Sequence, residues 1–136
     1  MSLKLNKSHY NSNDPTIECI QDQDQVNWYN EQRGKVIINF DKMLFKNILF
    51  FCAKVDNSLA SWARLIINNN YAVIDDVQTD IIYRRQGFAK KIMNTLIDTS
   101  FKKNVSNIVL SASNDGKSLY ESFGFKTIAD IKVFST

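Results

Sequence analysis

The sequence predicts a mixed α/β fold of the α+β kind, a mostly antiparallel sheet with helices on both faces. Three observations predict it. Residues 47–79 hold three β-branched and aromatic runs separated by short Asn- and Asp-rich turns, the pattern of an antiparallel meander. From Tyr71 to Asp98 a strand pattern passes through a basic, glycine-containing turn into a helical one. A further strand pattern, Ser106–Ala112, follows that helix, and a helical crossover makes it parallel to the strand before it.

Length and composition set the bounds. A chain of 136 residues with a 44% hydrophobic share suits one domain, residues 1–136, around one core. The net charge of +3 is too mild to argue for a nucleic-acid partner. No apolar run reaches the roughly 18 residues of a membrane span, and the first residues lack the apolar core of a signal peptide. Cys19 and Cys52 have no metal or redox spacing and read as reduced thiols of a cytoplasmic protein. His9 is the single histidine and sits in a polar tail, which argues against a hydrolase that needs a base beside its nucleophile.

Taken in order, residues 1–35 form a poorly defined N-terminal segment, in which Met1-Ser2-Leu3 reads equally as native chain or cloning remnant. Ser8–Asp14 and Pro15 have loop composition. Thr16–Ile20 fits a short strand, and Asp22–Gln32 a helix stopping near Gly34. Lys35–Phe51 is apolar, and its pattern leaves strand and buried helix open. The meander then runs Asn47–Val55, Ser58–Ile67 and Tyr71–Thr79, with turns at Asp56-Asn57 and Asn68–Asn70. Ser113–Gly116 is a turn, Lys117–Phe123 a short helix, and Phe125–Phe134 a last strand expected beside Ser106–Ala112. Gly116-Lys117-Ser118 looks like the end of a phosphate loop, but Ser111 stands where that motif needs glycine.

Chemistry concentrates in two places. The turn Tyr83-Arg84-Arg85-Gln86-Gly87 leads into a helix whose apolar stripe is Phe88, Ile92, Met93, Leu96, Ile97 and Phe101. The first amides of a helix have no intrahelical partner and carry the positive end of its dipole, so a basic turn there makes an anion cradle. Asp75-Asp76, inside an apolar strand, is the second. Alternation cannot turn both carboxylates to solvent, so at least one is expected to face a cleft.

Arg84-Arg85-Gln86-Gly87-Phe88-Ala89 resembles the Q/R-x-x-G-x-G/A signature of the GNAT superfamily of acyl-CoA N-acyltransferases. Leu119-Tyr120-Glu121-Ser122-Phe123-Gly124-Phe125 resembles its LYExxGF element, and the two together carry the resemblance over about residues 47–130. The resemblance implies a central sheet splayed in the middle and acetyl-CoA as co-substrate, with no metal. It places the main chain of Val77, Gln78 and Thr79 along the pantetheine arm, which can add to a strand edge. It places Arg84, Arg85, Gln86, Gly87, Phe88, Ala89 and Lys90 around the pyrophosphate, Gly87 leaving room for close approach.

Tyr120 is then the proton donor to the departing thiolate. Asp75 is the base, directly or through water, and Asp76 a substrate-side or structural carboxylate. Aspartate is one methylene shorter than the glutamate the family often carries there. Ser113 and Gly116 stand where the family often has Asn and Ala, and Asn114, one place along, is the candidate for the pantetheine arm. For Trp28 and Tyr29 two readings stand: substrate-pocket walls, or packing on the core or against a second copy in a homodimer. The expected reaction is direct acetyl transfer to a primary amine of a small cationic molecule. A protein lysine or N-terminus and a non-catalytic acyl-CoA-binding module are the alternatives. A nucleic-acid-binding role for the basic residues ranks below both.

Overall fold

The structure is a computed structural model and describes residues 1–5, 16–45, 47–112 and 116–127. Six strands form one sheet in the order β1-β6-β5-β4-β3-β2. They are β1 (Ser2–Lys4), β2 (Ile17–Cys19), β3 (Ile48–Val55), β4 (Ser58–Asn68), β5 (Tyr71–Thr79) and β6 (Asn107–Leu110). The helices are α1 (Gln23–Arg33), α2 (Phe40–Phe45), α3 (Phe88–Lys102) and α4 (Lys117–Ser122). All strand pairs are antiparallel except β5 with β6.

Alternation along the strands sorts two cores. Phe51, Ala53, Ala63, Leu65, Ala72 and Ile74 turn toward α3, where Ile92, Met93, Leu96 and Ile97 meet them. Phe50, Cys52 and Trp62 turn the other way, against Val26 and Tyr29 of α1 and Met43 of α2. Helices therefore lie on both faces, as the sequence predicts.

The local chemistry of α1 defines much of the N-terminal segment. Asp22 and Gln25 form a reciprocal capping box, and Gly34 closes the helix in the left-handed region at φ 73°. The Asn30 side chain accepts from the amides of Ile37 and Ile38 and donates to the Ile38 carbonyl. Those bonds satisfy an extended stretch, so Lys35–Phe51 resolves into extended chain, α2 and β3.

The place beside β6 is a correction. It belongs to β1, not to the segment after Gly124: Ser2, Leu3 and Lys4 pair with Val109, Ile108 and Asn107. Lys126 bridges to the outer side of β1 through Ser2, while residues 128–134 of the expected last strand lie outside the described residues. The reason is Leu3, 4% exposed in the α3-side core and in reach of the turn at Gly124. Once that side chain is buried, β1 must lie against β6. Pro15 and His9 lie outside the described residues. Among the described residues no helix is long and apolar enough to cross a membrane.

Leu3→Ala removes a buried side chain whose loss costs about 2–5 kcal/mol in a packed core. Thermal denaturation is expected to show a clearly lowered Tm, whereas Ser2→Ala, beside it, leaves Tm nearly unchanged.

Candidate active site

β5 and β6 pair only from Tyr71↔Asn107 to Ile74↔Leu110. Beyond Ile74, β5 runs on to Thr79 with no β6 partner, so the sheet opens between them. On its other side β5 keeps β4, through a bulge. Asp76 and Val77 both fall between the pairs Arg64↔Asp75 and Trp62↔Gln78, opposite Ala63 alone. Asp76 takes a left-handed backbone there, φ 53°, a conformation that costs a non-glycine residue about 1–2 kcal/mol.

The open side of β5 borders a cavity of about 500 Å3. Val77, Gln78 and Thr79 line it from the strand; Tyr83, Arg84, Arg85, Gly87, Phe88, Ala89 and Lys90 from the turn and the start of α3; Gly116, Leu119 and Tyr120 from α4. The Gln78 carbonyl accepts from the buried Ser61 hydroxyl on β4 at 2.7 Å, and the Asp80 amide donates to Ala60 at 2.8 Å. Main-chain direction alternates along a strand, so Val77 and Thr79 face the gap. The Thr79 carbonyl accepts from Arg84 Nε at 3.2 Å.

A short 3-10 turn, Ile81–Tyr83, capped by Asp80, carries the chain to the glycine. Arg85 and Gly87 both have positive φ, 64° and 83°. Gly87 is the N-cap of α3 and brings no side-chain cap, which leaves the first-turn amides for an anion. A Cβ at Gly87 would meet nothing within 4 Å. Its backbone angle therefore asks for glycine here, rather than crowding from the protein itself. Gln86 does not line the cavity; its amide nitrogen donates to the Ile82 carbonyl at 3.4 Å.

Tyr120 is held by the end of α4. The Gly124 amide donates to Glu121 at 2.9 Å and the Phe125 amide to Tyr120 at 3.2 Å. Gly124 sits at φ 96°. This is a Schellman ending, and its customary apolar contact is Tyr120 against Phe125, ring centroids 6.1 Å apart. Tyr120 is 8% exposed, and burial raises the pKa of its phenol above the ordinary value.

The two aspartates go elsewhere. Asp75 is gripped by Arg64 side-on, Nε at 2.7 Å and Nη2 at 2.5 Å; this bond is the largest cause raising the Arg64 pKa. Asp75 does not line the cavity, so the expectation of a free base at that position does not fit the geometry. Asp76 accepts from Arg33 at 3.2 Å and from Gln78 Nε2 at 2.7 Å. The bulge places the consecutive carboxylates outside simple alternation, and two arginines answer them.

Trp28 stacks under Lys54, 4.2 Å from the ring, and donates to the Asn57 carbonyl. Tyr29 is buried in the α1-side core, with its hydroxyl accepting from Arg33 at 2.7 Å. Neither lines the cavity. Asn114 lies outside the described residues. Among the described residues no three His, Cys, Asp or Glu side chains gather as metal ligands.

A strand edge left open, an uncapped helix start behind a basic turn, and a buried phenol converge on one cavity. A family model described as an acetyltransferase (GNAT) domain matches residues 22–135. The chain belongs to the GNAT acetyltransferase family. It is thereby an acyl-CoA-dependent N-acetyltransferase.

Three solved structures share the fold of this GNAT protein. A Trypanosoma brucei acetyltransferase matches with a TM-score of 0.71 at 18% identity, over 88% of this chain and 99% of that one. A predicted acetyltransferase of Clostridium acetobutylicum, solved with acetyl-CoA, matches at 0.65 and 18%, over 88% and 94%. The aminoglycoside N-acetyltransferase AAC(6')-Iy, solved with CoA, matches at 0.71 and 12%, over 88% and 98%. Among curated proteins none matches the sequence.

Sequence reasoning did not single out Arg33, Arg64, Tyr83 or Leu119. Arg64 had a signal, a lone charge in the apolar run Ser58–Ile67 opposite a strand with two aspartates. Arg33 had none beyond its place in the last turn of a helix.

Gly124→Ala is expected to destabilise the protein by about 1–3 kcal/mol through its left-handed backbone, because the added Cβ also meets Leu3 at 3.3 Å. Near-UV circular dichroism and Tm check it; an unchanged aromatic signal would contradict the coupling to Tyr120.

Proposed function

We propose that this GNAT enzyme transfers an acetyl group from acetyl-CoA directly to a primary amine in a ternary complex. The observation that carries the reading is the convergence of β5's open edge, the Arg84–Lys90 turn and Tyr120 on one cavity. In this reading the pantetheine amides pair with the Val77 and Thr79 main chain as an added strand would. The Thr79 carbonyl exchanges its Arg84 partner for the cofactor, which frees the guanidinium for phosphate. The diphosphate lies at the first-turn amides of α3, and Asn114 remains the candidate for a further bond to the pantetheine arm.

The deprotonated amine nitrogen attacks the thioester carbonyl carbon, and the carbon–sulfur bond breaks. The electron pair goes to sulfur, and the thiolate takes the Tyr120 phenol proton, which solvent later restores. The proton that the nitrogen gives up as the amide forms leaves through water toward Asp76, which lies outside the cavity lining and is hydrogen-bonded to Gln78, which is part of it. Juxtaposing amine and thioester supplies much of the rate.

The acceptor we assign is a small molecule, and Asp76 supports a cationic one because its side chain keeps 26% exposure beside Gln78. Asp75 supports it less: both carboxylates are hydrogen-bonded at each oxygen, but Asp76 bonds a residue that lines the cavity, Gln78, whereas Asp75 bonds Arg64, which does not. Neither Trp28 nor Tyr29 is needed as a pocket wall. The chain is proposed to be one acetyltransferase domain.

Acetyl-CoA at millimolar concentration is expected to raise Tm, since a ligand at 100 times its Kd adds about 2.7 kcal/mol; no shift would sink the cofactor reading. An amine panel that includes aminoglycosides, followed by thiol release, then finds the acceptor. Tyr120→Phe is expected to lower kcat by about 10²–10⁴-fold while acetyl-CoA still binds. The sign of the pH effect follows from the raised phenol pKa. The donor form persists to high pH, so any loss of kcat due to Tyr120 appears only above about pH 10. A Tyr120-dependent fall near neutral pH would contradict that role.

A further inference from the structure

The geometry points to Arg33, outside the cavity, as the positioning residue that sets the cofactor-binding edge of β5. The inference rests on the acetyl-CoA reading above and deepens it.

The residues that line the edge follow directly on the strained residue. Asp76 holds φ 53°, and Val77 and Gln78 come next. A left-handed aspartate in the middle of a strand persists only where its surroundings over-determine it. Two side chains hold the Asp76 carboxylate, Gln78 from its own strand and Arg33 from α1. Arg33 Nη1 donates to Asp76 Oδ2 at 3.2 Å and to the Tyr29 hydroxyl at 2.7 Å. Its guanidinium carbon lies 4.5 Å from the Trp62 ring centroid and 5.6 Å from that of Tyr29. The Arg33 side chain is only 12% exposed.

Each contact bears on the bulge. Trp62 is the β4 residue paired with Gln78, on the far side of the bulge. Asp76 Oδ1 accepts from that same Gln78. One guanidinium therefore touches the bulged residue and the strand pair that ends the bulge. Its helix is anchored independently by the capping box at Asp22 and by the Gly34 ending. A cation sandwiched on a buried tryptophan face and hydrogen-bonded to a carboxylate is held much more firmly than an exposed pair. Arg64 grips the residue before the bulge, Asp75, but its side chain is 36% exposed and touches neither Asp76 nor Gln78 in a hydrogen bond.

Three variants test this against a general stabilising role. The readouts are acetyl-CoA Kd by calorimetry well below Tm, and, in the free protein, hydrogen exchange of the Gln78 and Asp80 amides, which face β4. Arg33→Met is expected to raise Kd about tenfold or more, the scale of one lost charge-assisted hydrogen bond, and to speed exchange at the Gln78 and Asp80 amides more than in β3. Arg33→Lys keeps the charge without the planar fork and is expected to fall between wild type and Arg33→Met. Arg33→Met/Asp76→Gly is expected to recover part of the lost affinity, because glycine holds the left-handed angle unaided.

A folded Arg33→Met with wild-type Kd and unchanged exchange overturns the inference. So does a double variant no better than Arg33→Met. If Arg33→Met does not fold, Arg33→Lys decides: wild-type Kd and exchange overturn the inference, and weaker binding with local exchange supports it. If wild type itself fails to bind acetyl-CoA, the cofactor reading falls, and exchange in the free proteins still decides whether Arg33 holds the edge.

Discussion

Every main-chain amide and carbonyl needs a partner, and in this protein one strand is denied half of its partners by construction. β5 loses β6 after Ile74 but keeps β4 to its end. On the β4 side the account closes with the Ser61 hydroxyl on the Gln78 carbonyl and the main-chain bond from the Asp80 amide to Ala60. On the other side Val77 and Thr79 are left to solvent, to Arg84, or to an extended amide ligand. A buried strand with a vacant edge would ordinarily invite pairing with another chain. Here the gap is framed by α3 and α4 and basic at its mouth, which suits a ligand that is itself strand-like and phosphorylated.

Much of this was legible in the residues. β5 and α3 fall where the strand pattern, the glycine and the 3.6-residue stripe put them, since local signals and burial agree there. The phenylalanine of the LYExxGF element reads as a Schellman partner, which explains the glycine between it and Tyr120. The pairing of Arg33 with Asp76 was not legible. Strand alternation is a rule for regular ladders, and one extra residue at Asp76 suspends it. A sequence does not announce a bulge when the residue in the left-handed position is aspartate rather than glycine. Nor does it announce that Arg33, from another element, supplies what glycine would have made unnecessary. β1 was missed for a different reason: three residues are too short to show a period.

The two carboxylates of β5 are each balanced locally. Arg64 answers Asp75, and Arg33 answers Asp76. The arginines at the cavity mouth, Arg84 and Arg85, have no carboxylate partner in an ion pair among the described residues, and a diphosphate is what such a turn accommodates. The acceptor side thus offers modest electrostatic attraction, while the cofactor side offers a strong one.

The pairing of β1 with β6 has a kinetic side. Leu3 meets Ile108 across most of the chain, so β1 waits, its apolar side chain exposed, until β6 has been synthesised. Contacts of such long sequence separation are slow to form. Closure of the sheet at this seam is therefore expected to be a late event in maturation, and the interval before it is when the nascent chain is most open to association with its neighbours.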